Sequence, residues 1–152
     1  MNQETPVAAP RLSAETVHAT TVAKGGRAVV LTGPSGSGKS DLALCLLDRG
    51  FTLVSDDQTL FRKRGNQLVA TAPANIAGKL EVRGLGIVEV ERVSYVPVAL
   101  AVELTCEIER LPDGSRERRI LGVSVPLIGL DAMTASAPSK VALALDRLGL
   151  KF

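Results

Sequence analysis

Short apolar runs, each bounded by glycine or polar residues, alternate along this chain. The β-branched run at 28–31 predicts a buried parallel strand, and strand-like segments at 15–21 and 51–54 lie on either side of it. Between 39 and 49 the leucines recur at helical spacing, and Gly50 then provides a typical helix stop. The first third of the chain therefore predicts strands that flank a loop and a helix.

The rest of the chain favours hairpins and one closing helix. Turn residues Gly65-Asn66 and Gly122 each separate two short apolar runs, which is typical of a hairpin. A helix at 139–148 is expected to be capped by Ser139 and stopped by Gly149. The remaining predicted strands and hairpin arms are 58–64, 67–70, 80–83, 87–90, 96–106, 119–121, 123–125 and 127–130. We expect an α/β fold in a single domain over 1–152, with 1–12 as a loose lead-in.

Composition narrows the class of protein. The net charge is only +2 with its signs interspersed, and aromatics make up 3% of the 152 residues, so we expect no nucleic-acid partner. No apolar segment approaches transmembrane length and the start lacks a signal-peptide pattern, so we expect no membrane partner. Cys45 and Cys106 lie in apolar runs without metal-ligand spacing, which predicts buried thiols in a reducing compartment. We expect a cytoplasmic protein.

The strongest motif follows the strand at 28–31. It matches the phosphate-binding pattern G-x-x-x-x-G-K-S in full, between a strand and a helix. In such a loop, backbone N–H groups and the helix N-terminus surround an anion. Lys39 would reach the β- and γ-phosphates, and the Ser40 hydroxyl would bind magnesium. The predicted nucleotide-binding residues are Gly33, Pro34, Ser35, Gly36, Ser37, Gly38, Lys39 and Ser40.

Asp56 and Asp57 follow the strand at 51–54. Because ligands bind at the carboxyl ends of strands in open α/β sheets, we expect both carboxylates to face the phosphates. One could hold the metal while the other accepts a proton from an attacking hydroxyl. An Asp-Asp turn that caps a loop is the structural alternative. His18, the only histidine, would reach this site if its segment pairs with the strand before the loop, and is otherwise structural.

Several segments together resemble one family. The sequence LEVRGLGIV at 80–88 resembles the signature of the HPr kinase/phosphorylase family. His18 lies upstream of the loop as in that family, and GPSGSGKSDLAL at 33–44 is similar to its Walker A loop. Arg-Gly followed by LVSDD, within 49–57, resembles another family stretch. The resemblance extends over about residues 15–105 and is most specific in the signature.

The resemblance implies a P-loop (Walker A) kinase domain with a twisted mixed sheet and flanking helices. It implies a magnesium-dependent enzyme that phosphorylates a serine of the phosphocarrier HPr with ATP, or with pyrophosphate in some members. The reverse activity of the family removes that phosphate by phosphorolysis. The implied setting is regulation through a phosphotransferase system, and the implied assembly is a homo-oligomer, a hexamer in the family.

The resemblance also implies roles for single residues. Lys39 would bind phosphate, and Ser40 and Glu81 would hold Mg²⁺. Asp57 would accept the serine proton and return it in dephosphorylation, with His18 beside it as a catalytic helper. Carboxylate oxygens such as that of Glu81 suit magnesium.

Other assignments stay open. Asp56 is the second choice for the acid/base role. Arg110 is the best placement of a late catalytic arginine, with Arg118 and Arg119 as rivals. The long form of the family carries an N-terminal domain and a PVRPGRN-like segment, whereas VPLIGL stands here at 125–130. We therefore expect a short form, for which both a kinase alone and a kinase with phosphorolysis remain possible activities.

Two functions from other classes compete with this one. A small-molecule P-loop kinase would need an arginine-bearing lid, for which 116–119 is the candidate segment. A non-catalytic regulator would bind ATP without transferring its phosphate. The set of Lys39, Ser40, Asp57 and Glu81 argues for transfer, and the product of a phosphorylation assay would distinguish the three.

Overall fold

The computed structural model describes residues 13–108 and 116–152. Eleven strands and two helices follow one another along these residues. They are β1 (Ala14–Val17), β2 (Thr20–Lys24), β3 (Arg27–Thr32), α1 (Lys39–Leu47), β4 (Thr52–Ser55), β5 (Thr59–Arg64), β6 (Gln67–Thr71), β7 (Lys79–Val82), β8 (Gly86–Glu89), β9 (Val96–Leu104), β10 (Glu117–Ile120), β11 (Val123–Leu130) and α2 (Ala137–Leu148).

Nine of the strands form one mixed sheet, and β7 and β8 form a separate hairpin. The order along the sheet is β1-β5-β6-β9-β3-β2-β4, and β11 also pairs with β9 and carries β10. Strand β3 is parallel to β9 and antiparallel to β2, which is in turn antiparallel to β4. Strands β3, β4, β9 and β11 therefore run in the same direction, and their carboxyl ends share one edge of the sheet.

Two hydrophobic clusters cover the two sides of this sheet. The first joins α1 and α2 to the central strands and to β7, and includes Leu31, Leu46, Leu80, Leu100 and Leu145. Within the described part of the chain, the second contains no helix residue and is built mainly from strands, including Val30, Val54, Phe61, Val98 and Val125. Aliphatic side chains dominate both clusters, as the low aromatic content predicts. The sheet thus curls over its own second core while the helices cover the first.

The predicted α/β fold and the mixed sheet with helices are confirmed, and several predicted boundaries are wrong. The predicted strand at 15–21 is two strands, because β1 pairs with β5 whereas β2 pairs with β3 and β4. Conversely, 123–125 and 127–130 belong to the single strand β11, which pairs first with β10 and then with β9. The closing helix begins at Ala137 with Ser136 as its N-cap residue, rather than at Ser139.

The predicted burial of the cysteines is also wrong, since both thiols are exposed. Helical periodicity turns Leu42, Ala43 and Leu46 of α1 inward, and Cys45 lies on the opposite side of that helix. Cys106 lies beyond the end of β9, past the last buried residue of that strand. Among the described residues, neither helix is long and apolar enough to cross a membrane.

Candidate functional site

The glycine-rich loop joins the carboxyl end of β3 to the first residue of α1. Gly33 has φ of 153°, and a Cβ there would lie 2.7 Å from Ser37 Oγ and 3.2 Å from the carbonyl oxygen of Leu104. Gly38 has φ of 97°, in the region that glycine adopts most readily. Both glycines are therefore needed for this path of the chain, as the predicted phosphate-binding loop requires.

Lys39 follows the loop as the first residue of α1 and is only 7% exposed. Its ammonium donates to the carbonyl oxygens of Gly33, at 2.7 Å, and of Pro34, at 3.0 Å. These hydrogen bonds hold the ammonium group of Lys39 across the opening of the loop. A buried cation beside the N-terminus of a helix is suited to bind an anion.

Asp56 lies one residue beyond β4 and is 6% exposed. Its Oδ1 accepts hydrogen bonds from Ser40 Oγ, at 2.7 Å, and Thr20 Oγ1, at 3.0 Å. Its Oδ2 accepts from the backbone N–H of Glu81 at 3.0 Å. This carboxylate thus joins α1, β2 and β7 at one point, and it orients the loop serine that was predicted to hold the metal.

Asp57 has a different environment from its neighbour. Its carboxylate Oδ1 lies 2.9 Å from His18 Nε2, and the two side chains are 66% and 54% exposed. Its φ of 68° is unusual for a residue other than glycine. The N–H of Gln58 donates to the carbonyl oxygen of Asp56 at 2.7 Å, so Asp57 is the central residue of a tight three-residue turn. The structure thus brings His18 and Asp57 together.

Two adjacent cavities open at this edge of the sheet. One, of about 110 Å³, is lined by residues that include Gly38, Lys39, Ser40, Asp41, Glu81 and Arg83. The other, of about 250 Å³, is lined by residues that include Asp56, Asp57, Gln58, Lys79, Glu81 and Ile87. Glu81 lines both, so a single carboxylate borders the phosphate-binding loop on one side and Asp57 on the other. The two cavities therefore meet at this carboxylate.

The residues of the smaller cavity fit a magnesium nucleotide. The Ser40 hydroxyl and the carboxylate of Glu81 line it together, and both are the hard oxygen ligands that Mg²⁺ prefers. Lys39 would supply positive charge for the phosphates of such a ligand. Arg83 also lines this cavity, although the sequence analysis gave it no role. In the sequence, Arg83 is marked as a candidate site residue only by its position two residues after Glu81 in the LEVRGLGIV segment.

The arginines predicted near the C-terminal part are dispersed. Arg110 lies outside the described residues. Arg118 and Arg119 lie in β10 rather than in a lid, and Arg119 donates to the carbonyl oxygen of Gly122 at 3.4 Å. Because β10 and β11 are antiparallel, that turn is at the opposite end of the sheet from the loop. Arg116 instead pairs with Glu103 at the carboxyl end of β9, at 3.3 Å.

This fold and this loop define a P-loop domain, with a strand, a glycine-rich turn and a helix that opens with Lys-Ser. The model of the family described as HPr Serine kinase C-terminal domain matches residues 11–144. The chain belongs to that family.

Relatives of known name agree with this assignment. The HPr kinase/phosphorylases of Chlorobium limicola and Pelodictyon phaeoclathratiforme are 40% and 41% identical to this chain over 119 residues, which is 69% of the chain and 36% of each relative. The chain thus spans just over a third of the length of these curated relatives. The solved Hpr(Ser) kinase/phosphatase from Coxiella burnetii is 29% identical with a TM-score of 0.77, covering 87% of this chain and 88% of that one.

Proposed function

We propose that this chain is the catalytic domain of an ATP-dependent kinase that phosphorylates a serine of an HPr-type phosphocarrier protein. The observation that carries the proposal is Glu81, which lines both the cavity of the phosphate-binding loop and the cavity beside Asp57. A phosphoryl donor and a serine hydroxyl would meet across this carboxylate. The names of the relatives supply the identity of the acceptor.

On the donor side, the loop N–H groups and Lys39 would bind the phosphates of ATP. Ser40 and Glu81 would hold Mg²⁺, and Asp56 orients Ser40 through the 2.7 Å hydrogen bond between their side chains. When bound, the metal neutralises charge that develops on the transferred phosphoryl group.

On the acceptor side, the serine hydroxyl would enter the 250 Å³ cavity beside Asp57. As the serine oxygen bonds to the γ-phosphorus and the bond to ADP breaks, the carboxylate of Asp57 takes the hydroxyl proton. His18 holds that carboxylate in place from 2.9 Å. In the reverse direction, inorganic phosphate would attack the phosphoserine, and protonated Asp57 would return its proton to the leaving serine oxygen. Arg110 remains the proposed late catalytic arginine.

The remaining expectations form part of the same proposal. The domain would act in the cytoplasm as a homo-oligomer, within the regulation of a phosphotransferase system. Within the candidate lid segment 116–119, Arg118 and Arg119 lie in strand β10, which argues against the arginine lid that a small-molecule kinase would need.

The direct test is incubation of the purified chain with HPr, Mg²⁺ and γ-labelled ATP. We expect label on an HPr serine with the parent, no transfer with Asp57→Asn, and equal heats of Mg-ATP binding for both. Asp146→Asn is the matched control, because Asp146 is an exposed, ion-paired aspartate on α2, far from the loop. Binding without transfer by the parent would indicate a regulator, and label on a metabolite would indicate a small-molecule kinase.

A further inference from the structure

Thr20 lies at the start of β2, with no exposed surface, between the two aspartates of the site. Its hydroxyl donates to Oδ1 of Asp56 at 3.0 Å and accepts the backbone N–H of Asp57 at 3.1 Å. This buried hydroxyl thus donates its single proton to Asp56 and accepts a hydrogen bond from Asp57 through a lone pair. Nothing in the periodicity of the sequence distinguishes this threonine from its neighbour Thr21.

The contact to Asp57 matters because that residue is held in an unfavourable conformation. A positive φ at a residue other than glycine is unfavourable and persists only where surrounding bonds hold it. Two bonds do so from one short segment: His18 contacts the carboxylate of Asp57, and Thr20 accepts its N–H. Without the hydroxyl, that N–H would lose its acceptor, and the turn would lose one of the bonds that oppose its relaxation.

We propose that Thr20 is a positioning residue for phosphoryl transfer, which sets the direction of the Asp57 carboxylate while it holds Asp56 against Ser40. The proposal rests on the proposed kinase function. It assigns to Thr20 an effect on the rate of transfer, in addition to the stability that any buried hydrogen bond contributes.

Thr21 provides a matched control on the same strand. It is also fully buried, and its hydroxyl bonds to that of Thr59 at 2.9 Å, away from the aspartates. Valine has the shape of threonine without the hydroxyl, so Thr20→Val removes two buried hydrogen bonds from β2 and Thr21→Val removes one. A merely structural role for Thr20 predicts that both variants lose stability and that neither loses kcat.

The kinetic test measures kcat and KM for phosphorylation of HPr by Mg-ATP. For Thr20→Val we expect kcat to fall about 10- to 100-fold, the usual range for residues that orient a reacting group, with KM little changed. Thr20→Ser should restore most of the rate, and Thr21→Val should keep the parental kcat. Parental kcat in Thr20→Val, or equal losses in the two valine variants, would overturn the proposal. Thr20→Ala serves the same comparison if the valine variant does not fold.

A second measurement needs no activity. His18 is the only histidine, so in protein without a histidine tag its ring protons give a single set of NMR signals that reports the contact with Asp57. Asp57→Asn gives the position of these signals when the contact with the carboxylate is lost. We expect Thr20→Val to move them towards that position and Thr20→Ser to leave them in place. Unmoved signals in Thr20→Val overturn the positioning role. Lack of HPr phosphorylation by the parent overturns only the proposed function.

Discussion

Replacing Asp56 by asparagine tests whether the buried carboxylate joins three parts of the site. Both of its oxygens are occupied, by two hydroxyl donors on Oδ1 and by one backbone N–H on Oδ2. Asparagine has the same shape but presents an NH₂ group in place of one oxygen. In either orientation of the amide, that NH₂ group faces a donor that needed an acceptor.

The expected loss of stability follows from this arrangement. A buried donor without an acceptor costs about 1–3 kcal/mol. The melting temperature of a domain of this size changes by about 2–4 °C per kcal/mol. At about 2 kcal/mol, the middle of the range, Asp56→Asn should therefore melt about 4–8 °C below the parent.

Asp57→Asn is the matched control for this prediction. The exposed pair of Asp57 and His18 contributes about 0–1 kcal/mol, and asparagine tolerates a positive φ as well as aspartate does. At about 0.5 kcal/mol, the middle of that range, its melting temperature should fall by only about 1–2 °C. Thermal unfolding followed by circular dichroism compares the two variants at one pH and salt concentration. Equal melting temperatures for the two variants would refute the division between a buried structural aspartate and an exposed reactive one.

Three further predictions concern the loop, the thiols and the C-terminal helix. Gly33→Ala should weaken Mg-ATP binding, because at φ of 153° its Cβ would lie 3.2 Å from the carbonyl oxygen of Leu104 as well as 2.7 Å from Ser37 Oγ. Gly25→Ala, at φ of 61° with nothing within 4 Å of its Cβ, should bind normally, and normal binding by Gly33→Ala would contradict the loop geometry. Both exposed cysteines, Cys45 and Cys106, should react with Ellman's reagent in the folded protein as fast as in the unfolded one, and protection of either would contradict its exposure. Arg27→Ala should speed hydrogen exchange in α2 and lower the free energy of unfolding by about 1–2 kcal/mol, because Arg27 donates to the carbonyl oxygens of Leu145 and Leu150 at 3.1 and 3.4 Å. The kcat of this variant should not change. Unchanged hydrogen exchange would contradict a stabilising role for these two hydrogen bonds.

The elements that the sequence predicts well have local causes. The phosphate-binding loop requires glycine at particular φ values, so its pattern is visible in eight consecutive residues, 33–40. The turn at Gly65-Asn66 likewise specifies the hairpin of β5 and β6. Helix α1 is marked by its leucines and by Gly50. In each case the residues that determine the structure are neighbours in the chain.

The elements that the sequence predicts poorly depend on partners that are distant in the chain. The division of 15–21 into β1 and β2 arises because β5 pairs with one half, and β3 and β4 with the other. The contact between His18 and Asp57 depends on that division, since the break between the strands lies at His18 and Ala19. A pattern of apolar and polar residues cannot specify which of several strands becomes the partner.

The two consecutive aspartates illustrate the same limit at the level of chemistry. Their residue types are identical, and proximity to the loop alone does not distinguish which of them accepts the proton. The backbone separates them: the turn closed by the 2.7 Å bond from Gln58 N–H to the Asp56 carbonyl leaves Asp56 6% exposed and turns the Asp57 side chain out to His18. A carboxylate whose oxygens already accept three hydrogen bonds is poorly placed to take a proton from an incoming serine. The strained residue is the one left open to the 250 Å³ cavity, and we therefore propose Asp57 for the acid/base role and Asp56 for the orienting role.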